Sequence, residues 1–186
     1  MSEKENQRVM LTKRLLKESL IRLMSKKELR KITVSELCED AGINRATFYK
    51  HYNAPYDLLH EIEMKAVKEI HDILIDFNIN EPDDLEKRIV AVCRYLRNNR
   101  ETTRLIFQNG TTINDFSSEL IYKESPWYDR FFKEYGEPAS NILMTFTSSG
   151  AYFAVKQWIE EDDTTTPEEM GKMLSSIVFY GISGKS

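Results

Sequence analysis

Most of the signatures of chemistry carried out by a chain itself are missing from this 186-residue sequence. There are two cysteines, Cys38 and Cys93, too few for a disulfide framework. Each falls on an apolar helical stripe, which predicts a core role, with redox sensing as the alternative. The three histidines are His51, His60 and His71. His60 and His71 lie on one predicted helix about 16 Å apart along its axis, so no single metal ion reaches both. No H-E-x-x-H, C-x-x-C, G-x-S-x-G or phosphate loop occurs. The expectation is therefore no cofactor, no metal and no enzyme activity. The acidic run 160–163 resembles a cation cluster, but at a helix end it reads as solvated surface. Apolar runs fall far short of the ~20 residues a membrane span needs. The first ten residues, MSEKENQRVM, are polar and charged and do not form a signal peptide. A soluble, cytoplasmic protein with no membrane partner is expected. No period-2 strand pattern and no internal repeat is visible. With 41% hydrophobic and 30% charged residues, the composition speaks against a disordered chain.

Charge is present but unevenly placed. The net charge of −4 speaks against nucleic acid only while the chain is taken whole. Residues 1–60 hold 12 Lys and Arg against 8 Asp and Glu, whereas residues 61–186 hold 14 against 22. A basic head on an acidic body confines an anionic partner to one end.

The stretch 31–52, KITVSELCEDAGINRATFYKHY, lies in that head. Thr33 and Glu36 have the spacing of a capping box at a helix start. Val34, Leu37, Cys38 and Ala41 give one apolar helical face. Gly42 follows where a helix end wants a left-handed residue. Ile43 tucks into the corner, Asn44 is a good N-cap, and a second helix is expected over 45–52. Phe48 points inward with Ile43. Arg45, Thr47, Tyr49, Lys50 and His51 look outward, and this face carries no acid. Solvated helix faces mix both signs, so a basic, acid-free face suits the DNA major groove. There Arg and Lys meet guanine edges, Thr meets a thymine methyl, and Tyr and Lys hold phosphates. The bland alternative is an ordinary helical corner whose basic face arises by chance.

T-V-S-E-L, then A-G-I-N-R-A-T-F-Y-K-H-Y, a short polar stretch and D-L-L resemble the DNA-binding domain of TetR/AcrR-type bacterial repressors. The resemblance covers about residues 10–62. It implies that Thr47-Phe48-Tyr49 sits in the recognition helix. The candidate DNA-binding set is Thr33, Asn44, Arg45, Ala46, Thr47, Tyr49, Lys50 and His51. One departure stands out. The family usually has a Lys at the start of the next helix, near the DNA backbone, and this chain has Pro55 there. On the first helix, Arg8, Lys13, Arg14, Lys17 and Arg22 form either a solvated face or a further approach to phosphate.

The whole chain reads as all-α with about nine helices. An N-terminal helix-turn-helix domain of three helices is expected over 1–55, and a helical regulatory and dimerisation domain over 56–186. Expected helices run over about 8–24, then through the helix-turn-helix, then 55–77, 83–98, 101–109, 113–122, 126–135, 138–161 and 167–182. The helix at 55–77 is apolar on more than one side, which suits a lever between head and body. The last two helices carry wide apolar faces, which either fill a core or pair with a second copy. The resemblance implies a four-helix homodimer interface, with candidates Phe146, Gly150, Phe153, Ala154, Trp158, Met173, Leu174 and Ile177. It also implies a small-molecule effector held among the body helices. Candidate lining residues are Arg94, Tyr95, Arg97, Phe107, Tyr122 and Trp127, with Phe131 and Phe132. The function so implied is a dimeric repressor released from a palindromic operator by a small ligand. The alternative is a regulator controlled by a partner protein docking on the aromatic segment 122–135.

Overall fold

The computed structural model describes residues 3–74, 81–109, 126–162 and 164–178, and the side chains of 6–74, 81, 83–109, 128–129, 132–162 and 164–178. The expected helix at 113–122, with Tyr122, lies outside the described residues, as do the side chains of Trp127 and Phe131. Among the described residues there are nine α-helices, one 3-10 turn and no strand. The chain packs as two compact units, Met1–Ala66 and Val67–Ser186.

The first unit contains α1 (Glu3–Met24), a 3-10 turn (Leu29–Lys31), α2 (Val34–Ala41), α3 (Arg45–Tyr49) and the start of α4 (Pro55–Leu74). Helix α1 begins five residues earlier than expected. Leu16, Leu20, Leu37, Phe48 and Leu58 form its fully buried centre. Each buried aliphatic or aromatic side chain of this size contributes about 1.5–3 kcal/mol. Polar ties flank that centre. Ser19 Oγ, itself buried, lies 2.6 Å from Asp40 Oδ2 and 3.2 Å from the Leu37 carbonyl. Arg22 donates to the same carboxylate at 2.7 Å. The Ser19 hydroxyl first, and Arg22 second, hold the Asp40 carboxyl below its ordinary range. Between α1 and α4, Lys13 and the Tyr52 hydroxyl both donate to Glu61, at 2.8 and 3.1 Å. Lys13 and Arg22 thus each hold a carboxylate within the first unit.

The second unit holds the rest of α4, α5 (Pro82–Asn98), α6 (Arg100–Asn109), α7 (Pro126–Tyr135), α8 (Glu137–Glu161) and α9 (Pro167–Ser176). Its core is built from Ile70, Cys93, Leu96, Phe107, Val155, Trp158, Ile159, Met170 and Leu174. Helix α9 begins on a full capping box. Thr166 Oγ1 accepts from the Glu169 N–H at 3.2 Å, and the Glu169 carboxylate accepts from the Thr166 N–H at 2.9 Å. The regular helix ends at Ser176, and 177–178 form a π-type turn. Helix α9 crosses α5 so closely at Gly171 that a Cβ there would sit 2.5 Å from a Val90 methyl and 2.7 Å from its Cα. Only the missing side chain permits that approach.

The last carbonyls of α8, which no helix can satisfy from within, are met by cations from α5 and α6. Arg100 donates to Ile159 O at 3.0 Å, and Arg104 to Ile159 O at 3.1 Å and Glu160 O at 2.8 Å. Arg97 donates to Asp162 O at 2.9 Å and Thr165 O at 3.1 Å, with its guanidinium 4.0 Å over the Trp158 ring. In return, Lys156 of α8 donates to Phe107 O at 3.2 Å, near the end of α6. Cation–π contact and charge-assisted hydrogen bonds lock one end of α8 into the core.

Candidate nucleic-acid interface

The corner between α2 and α3 is fixed by three local devices. Gly42 closes α2 in the left-handed region, at φ 66° and ψ 29°. The Asn44 side chain accepts from the Ala46 N–H at 2.8 Å and opens α3. Phe48, at 0% exposure, anchors α3 from beneath. Opposite that anchor, Tyr49 is 57% exposed, Arg45, Ala46 and Lys50 are exposed, and Thr47 and His51 are half-buried. The regular helix stops at Tyr49, so Lys50 and His51 stand in the turn that follows it.

Two of the expected residues serve the frame first. Thr33 Oγ1 accepts from the Glu36 N–H at 3.2 Å and caps α2. The expected reciprocal half of that box is not made. Glu36 instead accepts at 2.6 Å from Nζ of Lys27, which lies in the bend between α1 and the 3-10 turn. Asn44 uses its carbonyl oxygen as a cap and keeps its NH₂ group for other partners. Among the described residues, Arg45 and Lys50 meet no carboxylate. Arg45 Nη2 donates to Ser35 Oγ on α2. Ser35 and Arg45 border an open groove of about 550 Å³ that also takes in Cys38, Glu39, Gly42, Ile43 and Asn44. Ser35 escaped the sequence reading; its only signal was a small polar residue on the outer side of α2. Burial pushes the Cys38 thiol above its ordinary value, against the lowering effect of Arg45.

Among the described residues, the candidate effector residues Arg94, Tyr95, Arg97, Phe107 and Phe132 take separate places. Arg94 points outward and pairs with Glu168 at 2.6 Å. Arg97 is taken up by the end of α8, as described. Phe107 is buried edge-on to Tyr152, at 5.1 Å between centroids, and Tyr95 packs against the same core. Phe132 is exposed on α7, stacked on Tyr128 at 6.2 Å.

The candidate dimer face divides in two. Phe146, at 74% exposure, stands with Gly150, Phe153, Met173 and Ile177 on the surface. Ala154 is half-buried. Trp158 and Leu174 belong instead to the core, which corrects the expectation for both. Trp158 is 3% exposed and its indole N–H donates to Thr165 O at 2.9 Å, so neither side chain has surface left for a second copy. Helical spacing placed them on the right stripe but could not say which neighbour covers it. Among the described residues, no helix is long and apolar enough to cross a membrane, and no group of three or more His, Cys, Asp or Glu could hold a metal ion.

The TetR-type family model described as a transcriptional regulator C-terminal region matches residues 83–180. Three solved structures share the fold. A TetR transcriptional regulator from Streptococcus agalactiae 2603V has a TM-score of 0.69 at 21% identity, over 96% of this chain and 99% of that one. The fatty acid degradation regulator FadR from Bacillus halodurans has a TM-score of 0.65 at 12% identity, over 94% and 97%. The dihydroxyacetone kinase operon activator DhaS has a TM-score of 0.59 at 16% identity, over 94% and 97%. No curated protein sequence matches the chain.

Proposed function

Because the chain belongs to the TetR family of transcriptional regulators, we propose that it is a cytoplasmic homodimeric repressor, released from a palindromic operator by a small-molecule effector. Residues 1–55 are the DNA-binding head in this reading, and 56–186 the regulatory and dimerisation body. The observation that carries it is the outer face of α3, where Arg45, Tyr49 and Lys50 are exposed and the two cations meet no carboxylate. In a major groove, Arg45 is placed to donate to a guanine edge and the Thr47 methyl to touch thymine. Tyr49 and Lys50 hold phosphates. Ala46 is small enough to let the backbone come close. Ile142, Phe146, Phe153, Met173 and Ile177, all exposed on α8 and α9, are the surface for a second copy. Two heads so joined read half-sites about 34–36 Å apart. An effector that binds the body better in the DNA-incompetent state draws the population off the operator.

Fluorescence anisotropy against DNA from the protein's own upstream region, over a range of salt, tests the reading. Binding to a palindrome over random duplex, with a steep salt slope, is the expected result. Equal binding to every duplex would overturn sequence-specific regulation. Phe146→Glu should turn the dimer into a monomer by sedimentation; a wild-type monomer refutes the pairing. The partner-protein reading draws support from α7, where Phe132 and Tyr135 are half-exposed. It takes over if no small molecule alters DNA affinity while a protein captured on α7 does.

A further inference from the structure

We infer that Ser35 of α2 is a positioning residue that sets the guanidinium plane of Arg45 for base reading; this rests on the DNA-reading role proposed for α3. Arg45 is the first residue of α3, and side chains lean toward the N-terminus of their helix. It therefore reaches back across the corner, where its Nη2 donates to Ser35 Oγ. The span between the two is set by the left-handed Gly42, the Asn44 cap and the buried Phe48.

The chemistry of the partner matters. Glu39 lies in the same groove and is exposed. A carboxylate there would fix the arginine while cancelling the charge that DNA needs. A hydroxyl fixes it and leaves the charge intact. A guanidinium has five N–H donors, so one bond to Ser35 leaves the two-donor fork that matches O6 and N7 of guanine. Holding a long side chain in its bound geometry beforehand removes part of the ordering cost of recognition. Ser35 acts through Arg45 and need not touch a base itself.

The test is selection from a random duplex library with the full-length chain, as wild type, Ser35→Ala, Ser35→Thr, Arg45→Ala and the Ser35→Ala/Arg45→Ala double variant. Arg45→Ala should flatten preference at one base pair per half-site. Ser35→Ala should weaken preference at that same pair about three- to tenfold, the scale of one immobilised side chain. Its salt slope on non-specific DNA should match wild type. Ser35→Thr restores the hydroxyl and should restore the preference, which a merely structural role would not predict. The double variant should match Arg45→Ala. A Ser35→Ala profile equal to wild type overturns the inference, and so does a change at a pair that Arg45→Ala leaves alone. Should wild type select a site that Arg45→Ala reads unchanged, the roles of both residues fall while DNA binding stands. If wild type enriches nothing, the DNA-reading function itself falls and the inference with it.

Discussion

The basic side chains of the α2–α3 corner and those gathered at the end of α8 differ in what they meet. Arg97, Arg100, Arg104 and Lys156 all donate to backbone carbonyls at helix ends. Arg45 donates to one hydroxyl, and Lys50 reaches outward in the turn after α3. Four cations thus serve packing in one region, while two stand available in the other. What separates them is the supply of acceptors, since carbonyls left over at a helix end consume arginine while an acid-free face does not. A cation count alone therefore says little about nucleic-acid binding; its partners decide.

The largest effect should come from breaking the body end of this contrast. Arg97→Ala strips two carbonyl bonds and the contact over Trp158, and should lower unfolding free energy by about 3 kcal/mol in urea titration. The sequence preference of the folded fraction should not change. Next in size, Lys50→Ala should weaken affinity for all duplexes by roughly tenfold and reduce the salt slope by about 1. Its stability should stay within about 0.5 kcal/mol of wild type; a larger loss would mean that Lys50 is structural after all. The two Thr-x-x-Glu starts refine the contrast further. Glu169→Ala removes a made reciprocal cap and should cost about 1 kcal/mol. Glu36→Ala removes only a half-exposed pair with Lys27 and should cost less than about 0.5 kcal/mol. The smallest effect concerns pH. The Asp40 carboxyl is depressed by Ser19 and then Arg22, so its contribution is full above the ordinary carboxylate value of about 3.9 and fades as pH falls below it. Asp40→Asn should flatten that part of the acid-unfolding curve, followed by circular dichroism.

The corner was legible in the sequence because its determinants are local: a left-handed glycine, an N-cap and one inward aromatic within seven residues. What eluded the pattern depends on distant neighbours. Glu36 has the residue type and spacing of a capping box, yet Lys27, nine positions back, takes its carboxylate. Helix α8 is apolar on both sides, with Met144, Val155 and Ile159 inside and Ile142, Phe146 and Phe153 outside. Periodicity cannot rank two apolar sides, so by itself it leaves open whether Trp158 fills the core or meets a second copy. Arg97 serves carbonyls 65 and 68 positions away, contacts that no local pattern carries. By contrast, the cap at Thr166-Pro167-Glu168-Glu169 is local, with both of its partners within four residues.

The two free thiols have a further use. Cys38 lies in the first compact unit and Cys93 in the second, and both are buried. Burial drives Cys93 up to about 12 and raises Cys38, so neither offers much thiolate while its unit stays closed. Each is a stopwatch that starts when its own surroundings open. Alkylation followed by peptide mass, at increasing reagent, would time the opening of the two units separately in the unmodified chain. Operator DNA should slow the first clock, and a compound that slows only the second would announce an effector before its identity or its seat was known.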